Sequence, residues 1–250
     1  IMKSSFAPYR DELFISTKAG HDMWPGPYGN WGSRKHLMAS LDQSLKRMNL
    51  DYVDVFYSHR YDPETPLEET LQALVDIVRK GKALYVGLSK YPLDAYLFAC
   101  RYLKERDVPC LLYQGRYSML VREPESQGIL NAVKENGSGF VAFSPLAQGL
   151  LTNRYLNGIP DDSRIARGGF LKKEALTPEV LSKIQALNER AAMRGQSLAE
   201  MALAWLLKNE TVTSVIVGAS SVEQLGDSLK TLNHLSFEEE ELHAIEKILI

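Results

Sequence analysis

The chain is poor in the features on which several protein classes are built. Its two cysteines, Cys100 and Cys110, lie among apolar neighbours. They are too few for a disulfide framework and lack the paired spacing of a metal site, so both read as small hydrophobes of a reducing compartment and no metal is expected. No apolar run approaches the roughly 18 to 20 residues of a membrane-spanning helix, and no secretory leader is visible; a cytoplasmic protein without a membrane span is expected. Charge is nearly balanced, with 29 basic against 31 acidic residues and a net of −2, which excludes the basic field that nucleic acid selects. Short-period repeats and low-complexity tracts are missing as well.

At 250 residues and 45% hydrophobic content, there is material for one large core, and a single domain spanning residues 1–250 is expected. "LFIST", "YVDVFYSH", "ALYVGLS", "CLLYQ", "GFVAFS" and "VTSVIVG" read as buried strands rich in β-branched and aromatic residues. Helical stripes lie between them. Leu37, Met38, Leu41, Leu45 and Met48 follow a helix start at Ser33, and Thr65-Pro66-Leu67-Glu68 reads as a capping box ahead of Leu71, Leu74, Val75 and Val78. Further helices are expected near 93–104, 129–136, 178–194, 197–208, 221–232 and 237–249. The segment from Pro145 to Thr177 is longer than an ordinary connection and reads as a functional lid or a disordered loop.

Near-continuous apolar strands alternating with helices argue for a parallel sheet covered on both faces. An open doubly wound sheet and a (β/α)8 TIM barrel compete. No strand is followed by the glycine fingerprint of a dinucleotide-binding turn; "VGAS" lacks the second and third glycines. Instead a polar group closes each strand: Lys18, His59, Ser89, Gln114, Ser144 and the turn from Gly218 to Ser220. In a barrel all of these face the rim where active sites are built. A lysine ending a buried strand is costly to desolvate unless its charge is used.

"ISTKAG", "YVDVFYSHR", "GKALYVGLS", "FSPLAQGLLTNRY" and "VIVGASSVEQL" together resemble the aldo-keto reductases. Within them the likeness is to the branch that holds bacterial L-glyceraldehyde 3-phosphate reductases and voltage-gated potassium channel β subunits. The resemblance implies a TIM barrel, NADPH, and reduction of a small aldehyde such as L-glyceraldehyde 3-phosphate or methylglyoxal. It implies that Lys18 lowers the pKa of a proton-donating tyrosine and that His59 orients the substrate oxygen. Ser89 and Gln114 match positions that bind the nicotinamide carboxamide, and Tyr117 the ring that stacks on the nicotinamide. Ser144, Leu146, Gln148 and Gly149 match the loop over the pyrophosphate, and Arg154 and Arg164 the clamp on the 2′-phosphate. Gly218, Ser220 and Gln224 match the last phosphate and adenine loop, where Asp227 and Ser228 replace the usual glutamate and asparagine. Plain loop capping is an appreciable alternative for Ser144 and Ser220, and an ordinary solvated side chain for Arg164.

The family's tyrosine and aspartate belong upstream of the lysine strand. Six strands are found where eight are needed, and "IMKSSF" resembles the tail of a helix, so the first two strands are expected to be missing from this chain. Tyr9, Tyr28, Tyr57 and Tyr61 lie near the right strands but do not match the donor's motif. Trp24, Tyr28 and Trp31 either wall a substrate pocket or pack their loop down. Arg60 is open between a phosphate contact and a surface salt bridge. Two rival functions stand beside the reductase, an NADPH-binding regulatory subunit or impaired fragment and a Schiff-base aldolase using Lys18. A homo-oligomer is compatible with every one of these readings.

Overall fold

The computed structural model describes residues 2–156, 158–161, 163, 165, 166, 168 and 171–250. Its strands are β1 (Ser16–Ala19), β2 (Val53–Ser58), β3 (Ala83–Ser89), β4 (Cys110–Arg116), β5 (Gly139–Phe143) and β6 (Val212–Ile216). They follow one another in sheet order β1-β2-β3-β4-β5-β6, with parallel pairing from β1 to β4. Parallel strands with helical crossovers make an α/β fold compatible with the expected barrel. The chain divides into two compact units, one of residues 1–115 and 127–140, the other of residues 116–126 and 141–250.

In the first unit, α1 (Arg34–Met48) starts at Ser33, whose side chain accepts from the His36 N–H. It ends at Asn49 in the left-handed region, a residue that tolerates that conformation. Helix α2 (Leu67–Arg79) buries Leu71, Leu74, Val75 and Ile77, and α3 (Leu93–Lys104) buries Tyr96, Ala99, Cys100 and Leu103. The capping box expected at Thr65 is not formed: Pro66 is the N-cap and makes no side-chain bond. Asp62 does the work upstream, its carboxylate accepting from the N–H groups of Glu64 at 2.8 Å and Thr65 at 3.3 Å. Strand β2 is buried throughout, and its Asp54 accepts from the Ile15 N–H at 2.7 Å and pairs with Arg10 at 3.1 Å. That pins the entry to β1. β1 itself departs from the buried strand expected: Phe14 is exposed and pairing begins only at Ser16. The opening residues form turns and a 3-10 helix, Ala7–Glu12, and not a helix tail.

The short α4 (Glu123–Ser126) belongs to the second unit and α5 (Ile129–Glu135) to the first. In the second unit, α6 (Pro178–Met193) is capped by Thr177. The next helix, α7 (Leu198–Leu207), carries a complete Ser197–Glu200 capping box and is buried along nearly its whole length. Helices α8 (Val222–Lys230) and α9 (Glu239–Leu249) close the chain. Strand β6 buries only Val212, and α8 buries no residue, so the expectation of sheet faces covered throughout fails here. No helix among the described residues is long and apolar enough to cross a membrane. Cys100 and Cys110 are buried free thiols.

Candidate active site

Lys18 and His59 meet because the backbone can close between them. The Gly20 φ of +142° lies where side chains are rarely accommodated, and a Cβ there would stand 3.2 Å from that of His59. The His59 N–H donates to the Ala19 carbonyl at 2.8 Å. Lys18 reaches in the other direction, its Nζ donating to Gln114 Oε1 at 2.7 Å. Burial and the neighbouring charge of Lys90 hold the Lys18 amine below its ordinary value. Among the described residues no carboxylate pairs with it.

His59 is driven further. Burial first, then the charges of Lys18, His21, Lys90 and Arg60, bring its imidazole down to about 3. The ring is therefore neutral near pH 7, with one N–H to donate. His21 stands edge-on to it, ring centroids 4.3 Å apart.

Ser89 and Gln114 are register partners at the ends of β3 and β4. The Ser89 hydroxyl is fully buried and has no hydrogen-bond partner among the described residues, while the Gln114 amide carries both a donor and an acceptor. A buried hydroxyl without a partner is an unfavourable thing to keep. Tyr57 also hydrogen-bonds Gln114, but burial raises its phenol, the wrong direction for a proton donor. Gly87 makes room for that ring, since a Cβ there would fall 2.3 Å from Tyr57 carbons.

The loop after β1 is packed down. Met23 N–H donates to Gly29 O at 2.8 Å and Gly32 N–H to Asp62 at 2.8 Å. Trp24 packs on His36 and Trp31 lies under Arg60. Lys35 lies over the half-exposed Tyr28 ring. These aromatics pack the loop down, and Trp24 also lines a cavity with Asp22, Met23 and Asn30.

The second unit carries the other candidates. Tyr117 is buried, its hydroxyl donating to Glu125 and its ring tilted against Trp205 at 5.7 Å. Arg122 holds Glu125 at 2.5 Å and Glu246 at 2.6 Å. After β5, Ser144 (φ 54°) and Gln148 (φ 61°) adopt left-handed backbones, with Gly149 at φ 103°. Non-glycine residues in this region are strained and cluster at functional loops. Ser144, Leu146, Gln148 and Gly149 are part-exposed, and Arg154 is exposed. At the start of α8, Gln224 Oε1 accepts from both the N–H and the hydroxyl of the exposed Ser220, at 2.9 and 3.0 Å. Ser228 donates to the Gln224 carbonyl at 3.0 Å, Asp227 pairs with Lys230 at 2.7 Å, and Gly218 is exposed. Arg164 lies outside the described residues.

Residues 1–250 match the Aldo/keto reductase family. The chain belongs to that family. It is 55% identical over 252 residues to the L-glyceraldehyde 3-phosphate reductase of Escherichia coli O157:H7, an alignment covering 99% of this chain and 72% of that protein. The Escherichia coli K12 protein of the same name is 54% identical, with the same coverage. A probable voltage-gated potassium channel subunit beta of Arabidopsis thaliana is 37% identical over 230 residues, covering 90% of this chain and 69% of that protein.

Aldo/keto reductases are oxidoreductases that work with nicotinamide cofactors, and the chain is accordingly assigned to the oxidoreductases. The first unit fits such a cofactor on one specific count. The orphaned Ser89 hydroxyl beside the Gln114 amide suits a ligand bearing a primary amide. The sequence reading passed over His21, Asp62, Glu125 and Glu246. Asp62 had a local signal, two and three residues ahead of the N–H groups it accepts, whereas Glu246 is 124 residues from Arg122 and had none.

Proposed function

We propose that this aldo/keto reductase domain carries out NADPH-dependent reduction of small aldehydes, L-glyceraldehyde 3-phosphate or methylglyoxal among them, in the cytoplasm and from a single TIM barrel. The observation that carries the proposal is the strand-end cluster itself: a half-buried Lys18 bonded to Gln114, a neutral His59, and the partnerless Ser89 hydroxyl. When bound, the cofactor supplies a hydride. Ser89 and Gln114 hold its carboxamide. Tyr117 offers its ring to the nicotinamide, with Ser144, Leu146, Gln148, Gly149, Gly218, Ser220, Gln224, Asp227 and Ser228 along the remainder. Arg154 and Arg164 take the 2′-phosphate, where a guanidinium matches a dianion.

His59, neutral, donates its N–H to the carbonyl oxygen and so stabilises the negative charge that develops there. Lys18 supplies a positive charge that would favour ionisation of an adjacent phenol. Among the described residues no tyrosine hydroxyl bonds Lys18. On the reductase reading the protein binds NADPH and oxidises it with aldehyde, general acid catalysis accounting for about a hundred- to ten-thousandfold of that rate. Cofactor fluorescence titration followed by an NADPH-oxidation assay with glyceraldehyde and methylglyoxal checks this. Failure to bind NADPH would refute the cofactor assignment, and binding without turnover would refute the reductase activity. Borohydride treatment with glyceraldehyde should leave Lys18 unmodified; a trapped adduct there would favour Schiff-base chemistry. The likeness to channel β subunits makes binding without turnover, as in a regulatory subunit, the second reading.

A further inference from the structure

Arg60 directly follows His59, and among the described residues no carboxylate holds it. Its Nε donates to the Gly20 carbonyl at 2.7 Å, one Nη donates to Asn30 Oδ1 at 2.8 Å, and the guanidinium carbon lies 3.7 Å from the Trp31 ring centroid. All three partners are uncharged, and among the described residues Arg60 forms no ion pair. The surface salt bridge weighed for it is not formed. The fork is instead fixed in orientation with its charge unneutralised and its second Nη uncommitted. Beside it are the exposed His21, against His59, and the charges of Lys18 and Lys90. Asp22 is the one carboxylate whose charge reaches His21. A rigid, half-buried guanidinium among like charges is poorly explained by stability, because among the described residues no ion pair neutralises it. It is well suited to an anion that arrives from outside, and a planar fork matches a tetrahedral dianion.

We propose that Arg60 and His21 form the subsite for a phosphate monoester dianion, holding the phosphate end of a phosphorylated aldehyde beside His59. This rests on the reductase reading, in which His59 meets the carbonyl oxygen. In a three-carbon substrate the phosphate lies only a few bonds from that oxygen, so the cation that reads it has to adjoin His59. Lys18 and Lys90 add to the local potential without being the specific contacts. Such a subsite would separate phosphorylated from neutral aldehydes by affinity and would need no change elsewhere in the domain.

The test uses binding, so that it does not depend on turnover. Glycerol 3-phosphate, glycerol and NADP+ are titrated separately by calorimetry against residues 1–250 and against the Arg60→Ala, Arg60→Lys and His21→Asn variants. The wild type is expected to bind glycerol 3-phosphate in competition with inorganic phosphate and to bind glycerol far more weakly. Arg60→Ala should weaken glycerol 3-phosphate roughly ten- to hundredfold. Arg60→Lys should recover only part of that, because it restores charge without the fork. His21→Asn, at an exposed position, should produce a smaller loss with the fold intact. NADP+ affinity is expected to change less than about twofold in each variant. No binding of glycerol 3-phosphate by the wild type, or equal binding in all variants, overturns the proposal. So does an equal loss of NADP+ and glycerol 3-phosphate in Arg60→Ala, which would assign the cation to the cofactor's phosphates. Phosphate binding that survives when NADPH does not bind would refute the reductase reading and leave the anion site standing.

Discussion

Ser89 and Gln114 beside Lys18 are buried at strand ends, whereas Ser144 and Gln148 are part-exposed in a turn after β5 and Ser220 and Gln224 are exposed at the start of a helix. In the first unit Ser89 and Gln114 are locked by register and Lys18 is tied at 2.7 Å. In the second, Ser220 and Gln224 satisfy one another, and left-handed backbones at Ser144 and Gln148 carry the chain after β5. The two settings suit different tasks. Carbonyl chemistry needs groups held in place before the substrate arrives. Phosphates are strong acceptors that mobile side chains and exposed N–H groups can meet from solvent.

The sharpest way to break the comparison is through stability. Asp54→Ala would leave Arg10 and the Ile15 N–H without their carboxylate in a mostly buried setting, at a cost of about 3 to 5 kcal/mol. Asp227→Ala removes an ion pair from a solvated face and should not measurably move the urea midpoint. If the two variants unfold at the same urea concentration, the contrast between a fixed and a solvated region is wrong.

Next in size is cofactor choice. Arg164→Ala should weaken NADPH relative to NADH by roughly ten- to hundredfold, the value of a charge-assisted contact to phosphate. Parallel titrations of both cofactors check it, and an equal loss of the two would remove Arg164 from the 2′-phosphate.

A smaller effect follows from His59. Its folded value, about 3, lies below the ordinary histidine value of about 6.5. The unfolded chain therefore takes up a proton as pH falls through about 6.5 while the folded chain does not, and stability is lost between about 6.5 and 3. Above that window the linkage vanishes. His59→Asn should flatten this fall, seen as a gap in urea midpoints between variant and wild type that changes from pH 7 to pH 4.5. A constant gap would show that the imidazole is not held neutral.

What could be read from sequence followed the same division. Periodicity located α3 at 93–104 to the residue, and the strand-end rule singled out Lys18, His59, Ser89 and Gln114, because a buried strand leaves few places for a polar side chain. Phe14 and β6 misled for the opposite reason. Apolar, β-branched runs look alike whether a neighbouring layer covers them or not. Nothing local in sequence foretells a left-handed Lys90 or Ser144, nor that Asp62 replaces Thr65 ahead of α2. Those depend on what the rest of the chain leaves unsatisfied.

The central claim, that Ser89 and Gln114 hold the nicotinamide amide, is tested most directly by titrating Ser89→Ala with NADP+ and with 2′,5′-ADP, which lacks the nicotinamide. Losing one hydrogen bond of about 1 kcal/mol should weaken NADP+ roughly fivefold. The affinity for 2′,5′-ADP should stay the same, and stability should not fall, because among the described residues the removed hydroxyl has no partner. An equal change for both ligands, or none for either, would contradict the claim.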